Sequence, residues 1–205
     1  DDPQAVICET CGRGGKAYEI RIFDAEDSDV ELPQGEVGHI AGKGACLMLG
    51  YFDNQKATEE SFNKDGWFLS GDLGLIDENG CLRFVGRLKD IIIRGGKNIH
   101  PKKIEDLAVK HPNVEKAAAF PIPDERLGER VCLAVMPTGG TPEGQNVLSH
   151  LFNEGLSIYD MPEYYMLMSD FPLTASGKIL KRELAEWAKE GRISPDPIRF
   201  EKPQA

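Results

Sequence analysis

The chain changes character across Gly86-Arg87-Leu88-Lys89-Asp90-Ile91-Ile92-Ile93-Arg94-Gly95-Gly96-Lys97. Up to about residue 86 the pattern is one of strands and turns; from about residue 90 helical spacings join it. Asp90-Ile91-Ile92-Ile93 is a compact β-branched run, which favours a strand because branched side chains pack well on a pleated surface. Gly95-Gly96 follows as a turn. Downstream, Pro101 stands where a first helical residue belongs, and Ile104, Leu107, Ala108 and His111 fall at i, i+3, i+4 and i+7. Strand-like runs occupy 114–120 and 131–136, a second helix is expected over 143–154, and a third strand near 164–168. A last helix over 179–189 puts Leu180, Leu184, Trp187 and Ala188 on one face. Residues 89–190 therefore read as a small α+β domain, with helices packed on a short sheet. The segment 191–205, with Pro195, Pro197 and Pro203, reads as an irregular tail.

In the other direction, residues 1–88 read as β-rich. Tyr18-Glu19-Ile20-Arg21-Ile22-Phe23 alternates with the period of a half-buried strand, and Leu32-Pro33-Gln34-Gly35 is turn chemistry before another extended run. Asp53 is placed to cap a short helix over 54–63. Asp77-Glu78-Asn79-Gly80 reads as a hairpin turn, since Asn-Gly tolerates positive φ.

Composition narrows the classes. A chain of 205 residues, 40% hydrophobic and 28% charged, has the makings of a globular core rather than of a disordered segment. No apolar run approaches the ~20 residues of a membrane-spanning helix, and no basic-then-apolar leader precedes Tyr18. Asp1 in place of Met points to an excised or processed piece. Five cysteines, an odd number spread over half the chain, fit a reducing compartment and thus the cytoplasm. Cys8-Glu9-Thr10-Cys11 lacks the second pair or histidines of a zinc site, so no metal site is expected. A net charge of −10 argues against a general nucleic-acid binder, whose affinity rests on neutralising phosphates.

Charge is nevertheless uneven. Arg83, Arg87, Lys89, Arg94, Lys97, Lys102 and Lys103 crowd one window that holds a single acid, Asp90. Such a field suits a nucleotide or a phosphorylated cofactor; it equally suits a solvated strand edge guarded by basic residues. Gly12-Arg13-Gly14-Gly15-Lys16-Ala17 is not a phosphate-binding P-loop, because Thr10 and Ala17 stand where that motif needs glycine and a hydroxyl. Ser70-Gly71-Asp72 sets a carboxylate in a glycine-bounded loop, able to accept the paired hydroxyls of a ribose or to cap its own backbone. Leu173-Thr174-Ala175-Ser176-Gly177-Lys178 ends a polar loop in a lysine before the last helix. That lysine can bring a point charge to developing negative charge, or simply be solvated.

Read in order, Thr10-Cys11-Gly12-Arg13, Gly66-Trp67-Phe68-Leu69-Ser70-Gly71-Asp72, Gly86-Arg87-Leu88-Lys89-Asp90, Arg94-Gly95-Gly96-Lys97-Asn98-Ile99 and Leu173-Thr174-Ala175-Ser176-Gly177-Lys178 resemble the carboxy-terminal part of the adenylate-forming, AMP-binding superfamily. Pro123-Asp124-Glu125-Arg126-Leu127-Gly128-Glu129-Arg130 and Tyr159-Asp160-Met161-Pro162 incline the resemblance toward acyl- and aryl-CoA synthetases, such as medium-chain fatty acid, cyclohexanecarboxylate or dihydroxybenzoate ligases. The resemblance implies an α+β chain: a β-rich, barrel-like end of a large domain over 1–88, then a mobile lid over 89–190. It implies a two-step reaction in which a carboxylic acid and ATP give acyl-AMP and pyrophosphate, and coenzyme A then displaces AMP. By resemblance Asp72 and Arg87 bind the nucleotide's ribose, and Lys178 is the catalytic lysine of adenylation. Lys89 is the hinge, and Gly95 and Gly96 pass the pantetheine arm of CoA. Magnesium would be held by ligands outside this chain, on an N-terminal domain that also carries the acid pocket. The isolated piece is therefore expected to be inactive. Asp160 departs from the lysine that many relatives carry there. Two other readings are an adenylation module that loads a carrier protein, and a non-catalytic binding module that keeps the lid fold.

Overall fold

The computed structural model describes residues 3–201, and they divide into two compact units, one ending at Lys89 and the other beginning at Asp90. The first opens with helix α1 (Gln4–Glu9), which the sequence did not announce, followed by strands β1 (Tyr18–Phe23) and β2 (Gly38–Gly44), helix α2 (Gln55–Glu60), and strands β3 (Phe68–Ile76) and β4 (Leu82–Arg87). The strands pair antiparallel in the order β1-β2-β3-β4, as an open sheet. The expected barrel-like subdomain is thus an open four-stranded sheet rather than a closed barrel. Phe23, Ala41 and Trp67 are buried together in it, and Arg21 lies over the Trp67 ring at 4.7 Å.

Two local readings shift. Helix α2 is capped by Asn54, whose side chain accepts from the Ala57 amide at 3.0 Å, and not by Asp53. Asp53 sits at φ 52°, in the left-handed region, whereas a capping residue is normally extended. The Asp77–Gly80 turn forms, joining β3 to β4, but only Gly80 takes positive φ, 73°. The Asp77 carboxylate accepts from the Asn79 and Cys81 amides at 3.0 and 2.9 Å, which supports the turn without a left-handed asparagine. The Cys81 amide and Arg83 together hold the Asp77 carboxyl below its ordinary range.

The second unit contains β5 (Ile92–Arg94), β6 (Lys97–Ile99), α3 (Pro101–Ala108), β7 (Val114–Asp124), β8 (Gly128–Pro137), α4 (Gly144–Asn153), β9 (Tyr164–Leu167), α5 (Lys181–Lys189) and β10 (Asp196–Pro197). Strand β8 is the spine. It pairs antiparallel with β7 along one edge; along the other it pairs parallel with β9 and meets β5 at Gly128. Its residues alternate between two apolar layers. Val131, Leu133 and Val135 face a core with Ile104 and Ala108 of α3 and Val147, Leu148 and Leu151 of α4. Cys132 and Ala134 face a second core with Phe120, Phe171 and Leu184 of α5. Burial on both faces explains why 117–120 and 131–135 read as unbroken apolar runs. Each fully buried Leu or Val contributes about 1.5–3 kcal/mol. Burial also pushes the Tyr165 hydroxyl up to about 12, and that hydroxyl donates to the Pro142 carbonyl at 3.0 Å.

Residues after Gly191 are not an irregular tail throughout. Strand β10 pairs with β9, the Ile198 amide donates to the Glu163 carbonyl at 2.9 Å, and Phe200 stacks near Phe152 with centroids 5.1 Å apart. No helix among the described residues is long and apolar enough to cross a membrane.

Candidate functional site

Asp72 was expected in a loop and lies instead within β3. Opposite Ile40 alone, β3 carries Ser70, Gly71 and Asp72, so the strand bulges there. Gly71 takes φ 79°, which only glycine adopts cheaply. Its amide donates to Nε2 of His39 at 2.8 Å, and the Asp72 amide donates to the Ser70 hydroxyl at 3.1 Å. His39 is buried and was not singled out in the sequence, where it looks like any residue of an alternating strand. Because its Nε2 accepts, its proton sits on Nδ1. Burial keeps its pKa below 6.5, against the opposing pull of the Asp72 charge.

Asp72 and Arg87 are register partners on β3 and β4, and Arg87 Nε donates to Asp72 Oδ1 at 3.0 Å. With Arg87 64% and Asp72 30% exposed, the pair adds at most about 1 kcal/mol to stability. Its consequence is orientation: one oxygen is fixed, and the carboxylate retains lone pairs for further donors.

In the second unit, Lys178 sits on a loop tied to itself. Leu173 bridges Ile179, the Thr174 amide donates to the Lys178 carbonyl at 2.8 Å, and the Lys178 amide donates to Thr174 Oγ1 at 3.0 Å. Gly177 makes the turn at φ 82°. The Lys178 side chain is exposed and has no ion-pair partner among the described residues. Its backbone is therefore held while its charged head stays available. Lys89 is exposed within a 3-10 turn over Leu88–Asp90.

Gly95 and Gly96 form the two-residue turn of the β5–β6 hairpin, with Arg94 opposite Lys97 and φ of 57° and 82°. Positive φ at both positions by itself calls for glycine in such a turn. The short strand β6 was missed in the sequence. The hairpin is clamped from three sides: the Gly95 amide donates to the Leu127 carbonyl at 2.8 Å, Arg94 grips Glu163 with two bonds of 2.8 and 2.9 Å, and Lys97 pairs with Asp160 at 2.7 Å. Lys97 also lies over the Tyr159 ring at 5.2 Å. Beside the hairpin a cleft of about 720 Å³ is lined by Arg94, Arg126, Arg130, Met161, Glu163 and Phe200.

The basic window is largely answered by acids that the fold brings from elsewhere. Arg83 pairs with Asp77, Arg87 with Asp72, Arg94 with Glu163, Lys97 with Asp160 and Lys102 with Asp106. It is not an open positive field. Among the described residues no group of three or more His, Cys, Asp and Glu is arranged to hold a metal ion.

One unit is a bulged open sheet presenting an arginine-oriented carboxylate, and the other a two-faced α+β unit presenting a lysine on a closed loop; together they define a two-unit α+β protein. Comparison supplies the family. Residues 103–178 match the AMP-binding enzyme C-terminal domain. The chain is 36% identical over 183 residues to the medium-chain fatty-acid–CoA ligase of Escherichia coli K12, covering 88% of this chain and 32% of that protein. It is 34% identical over 191 residues to the 2,3-dihydroxybenzoate-AMP ligase of Bacillus subtilis, covering 93% and 35%. The ATP-bound crystal structure of MatB from Rhodopseudomonas palustris superposes with a TM-score of 0.81 at 34% identity, over 89% of this chain and 36% of that one. Residues 103–178 are an AMP-binding enzyme C-terminal domain, and the chain spans about a third of the length of the relatives it matches.

Proposed function

We propose that this chain is the carboxy-terminal part of an AMP-forming acid–thiol ligase, in which a carboxylic acid and ATP yield acyl-AMP and pyrophosphate, and coenzyme A then takes the acyl group and releases AMP. Lys178 carries the reading: a charged head with no ion-pair partner among the described residues, on a loop whose backbone is hydrogen-bonded closed. A cation so placed stabilises charge that grows as the carboxylate attacks the α-phosphate, and an interaction stronger in the transition state than in the ground state is catalytic. Asp72 accepts from the ribose hydroxyls, with Arg87 fixing its orientation and adding a contact to the same sugar. Lys89, in its exposed turn, is the pivot at which the lid changes pose between the half-reactions.

Gly95 and Gly96 face the pantetheine arm in this reading; in the cleft beside them Arg94 and Arg130 are engaged by Glu163 and Asp124, and Arg126 is the arginine offered to a phosphate of CoA. Magnesium and the acid are held by the N-terminal domain of the complete enzyme, so this chain alone makes no acyl-adenylate. The five cysteines are free thiols, which supports a reducing, cytoplasmic setting. One second reading is that the acyl group is passed to another thiol acceptor such as a carrier protein; the name of the 2,3-dihydroxybenzoate-AMP ligase stops at the adenylate and leaves the acceptor open.

The test is Lys178→Ala in a complete enzyme bearing this sequence. Pyrophosphate release should fall by about 10²–10³-fold, while thioester formation from pre-made acyl-adenylate survives. Equal loss of both steps would reject the two-pose scheme.

A further inference from the structure

We propose that Lys181, Asp90 and Glu105 form a positioning device that sets where Lys178 stands relative to the pivot; this rests on the reading of Lys178 and Lys89 given above. Lys181 is the first residue of α5, three positions after Lys178. Its Nζ lies 3.0 Å from Asp90 Oδ2 and 3.2 Å from Glu105 Oε1. Glu105 projects from α3 and also accepts the Ala119 amide of β7 at 2.9 Å. Asp90 is the residue immediately after Lys89. One ammonium thus joins the exit of the pivot, α3, β7 and the root of the lysine loop.

The three side chains are only 21%, 33% and 19% exposed, so solvent competes weakly with the arrangement. Apolar residues would hold helix to sheet at least as well, because a sequestered ion group carries a desolvation penalty. What the ions add is direction: each oxygen fixes the lysine along a different line. Leu180 adds a further tie, its amide donating to the Pro172 carbonyl at 2.8 Å at the other end of the loop. A rotation at Lys89 then reaches Lys178 through Asp90 and Lys181 directly, rather than through the long path of intervening chain. Lys181 is a positioning residue and touches no substrate in this account.

Two measurements test it. In the complete enzyme, K181M should lower kcat for pyrophosphate release by about 10²-fold, as an error of about 1 Å in placing a reacting group does. KM for ATP and thioester formation from pre-made acyl-adenylate should change little, and K181R should restore most of the rate. Equal loss in both steps, or no loss in either, would overturn the proposal. In the 205-residue chain itself, K181M should drop the NMR order parameters of the Gly177 and Lys178 amides from about 0.85 toward 0.6. Unchanged values overturn the device whatever Lys178 does. Should K181M fail to fold, Glu105→Gln leaves the lysine one carboxylate and must show the same step-selective loss in weaker form. A Lys178→Ala enzyme that still adenylates would instead sink the functional reading, leaving the order parameters to judge the device alone.

Discussion

The two side chains proposed for the site are held in opposite ways. Asp72 is fixed at its head: Arg87 holds one oxygen across a strand pair, and the bulge beneath is tied to His39. Lys178 is fixed at its root: its amide and carbonyl both bond Thr174, while its ammonium is left to solvent. The difference matches the work proposed for each. A group that grips a ribose through a whole cycle gains from being set in advance, whereas a cation that must engage and withdraw gains from a firm base and a loose tip. The lesson concerns where order is spent, since both devices use a glycine at positive φ and a serine or threonine hydroxyl accepting a backbone amide.

That contrast can be broken in several ways. Phe120 lies under α5, the helix that begins just after the lysine loop, and is fully buried. Phe120→Ala should cost about 3–5 kcal/mol in urea unfolding of the second unit; a loss below about 1 kcal/mol would mean that α5 is no firm base. Gly71 and Gly177 take φ of 79° and 82°, and a Cβ at either would meet nothing within 4 Å. Valine at either position should therefore cost about 1–2 kcal/mol from backbone strain alone. Unequal costs would show that the two turns differ in backbone as well as in side chain. Thr174→Val removes the hydroxyl that accepts from Lys178 and should cost about 1 kcal/mol, with faster amide exchange at Lys178 and none at Asp72.

The smallest effect is a pH dependence. The unfolded His39 imidazole protonates near 6.5 and the folded one only at lower pH, so between those values the unfolded chain binds more protons. Stability of the first unit should then be full above 6.5 and fall as pH drops through that window, as thermal melts between pH 7.5 and 5 would record. His39→Gln should flatten the slope. A folded His39 that titrates above 6.5 would contradict the hydrogen bond assigned to its Nε2.

Much of this was legible in the sequence where the signal is local. Pro101 starts α3 as its fixed φ suggests, the strand-like runs at 114–120 and 131–136 become β7 and β8, and Asp72, Arg87 and Lys178 are proposed on the resemblance. What escaped depends on pairing across distance. Strands β6 and β10 have three and two residues, too few to show a period, and exist because β5 and β9 offer them edges. Asp53 and Asn54 are equally good caps on paper, and the path of the chain decides between them. The basic window looked open because Glu163 and Asp160, which answer Arg94 and Lys97, lie more than sixty residues away along the chain. His39 had no signature at all, since its task is to accept one amide from a bulge thirty-two residues on.

The margins of the larger sheet carry a consequence for life at high concentration. Strand β7, paired only through β8, contains Pro121 and Pro123, and β10 ends on Pro197. A proline offers no amide hydrogen, so at these positions the borders give a neighbouring strand no donor with which to extend the sheet. In the proposed cycle the second unit changes pose repeatedly, and three imino acids then limit self-pairing at the β7 and β10 borders.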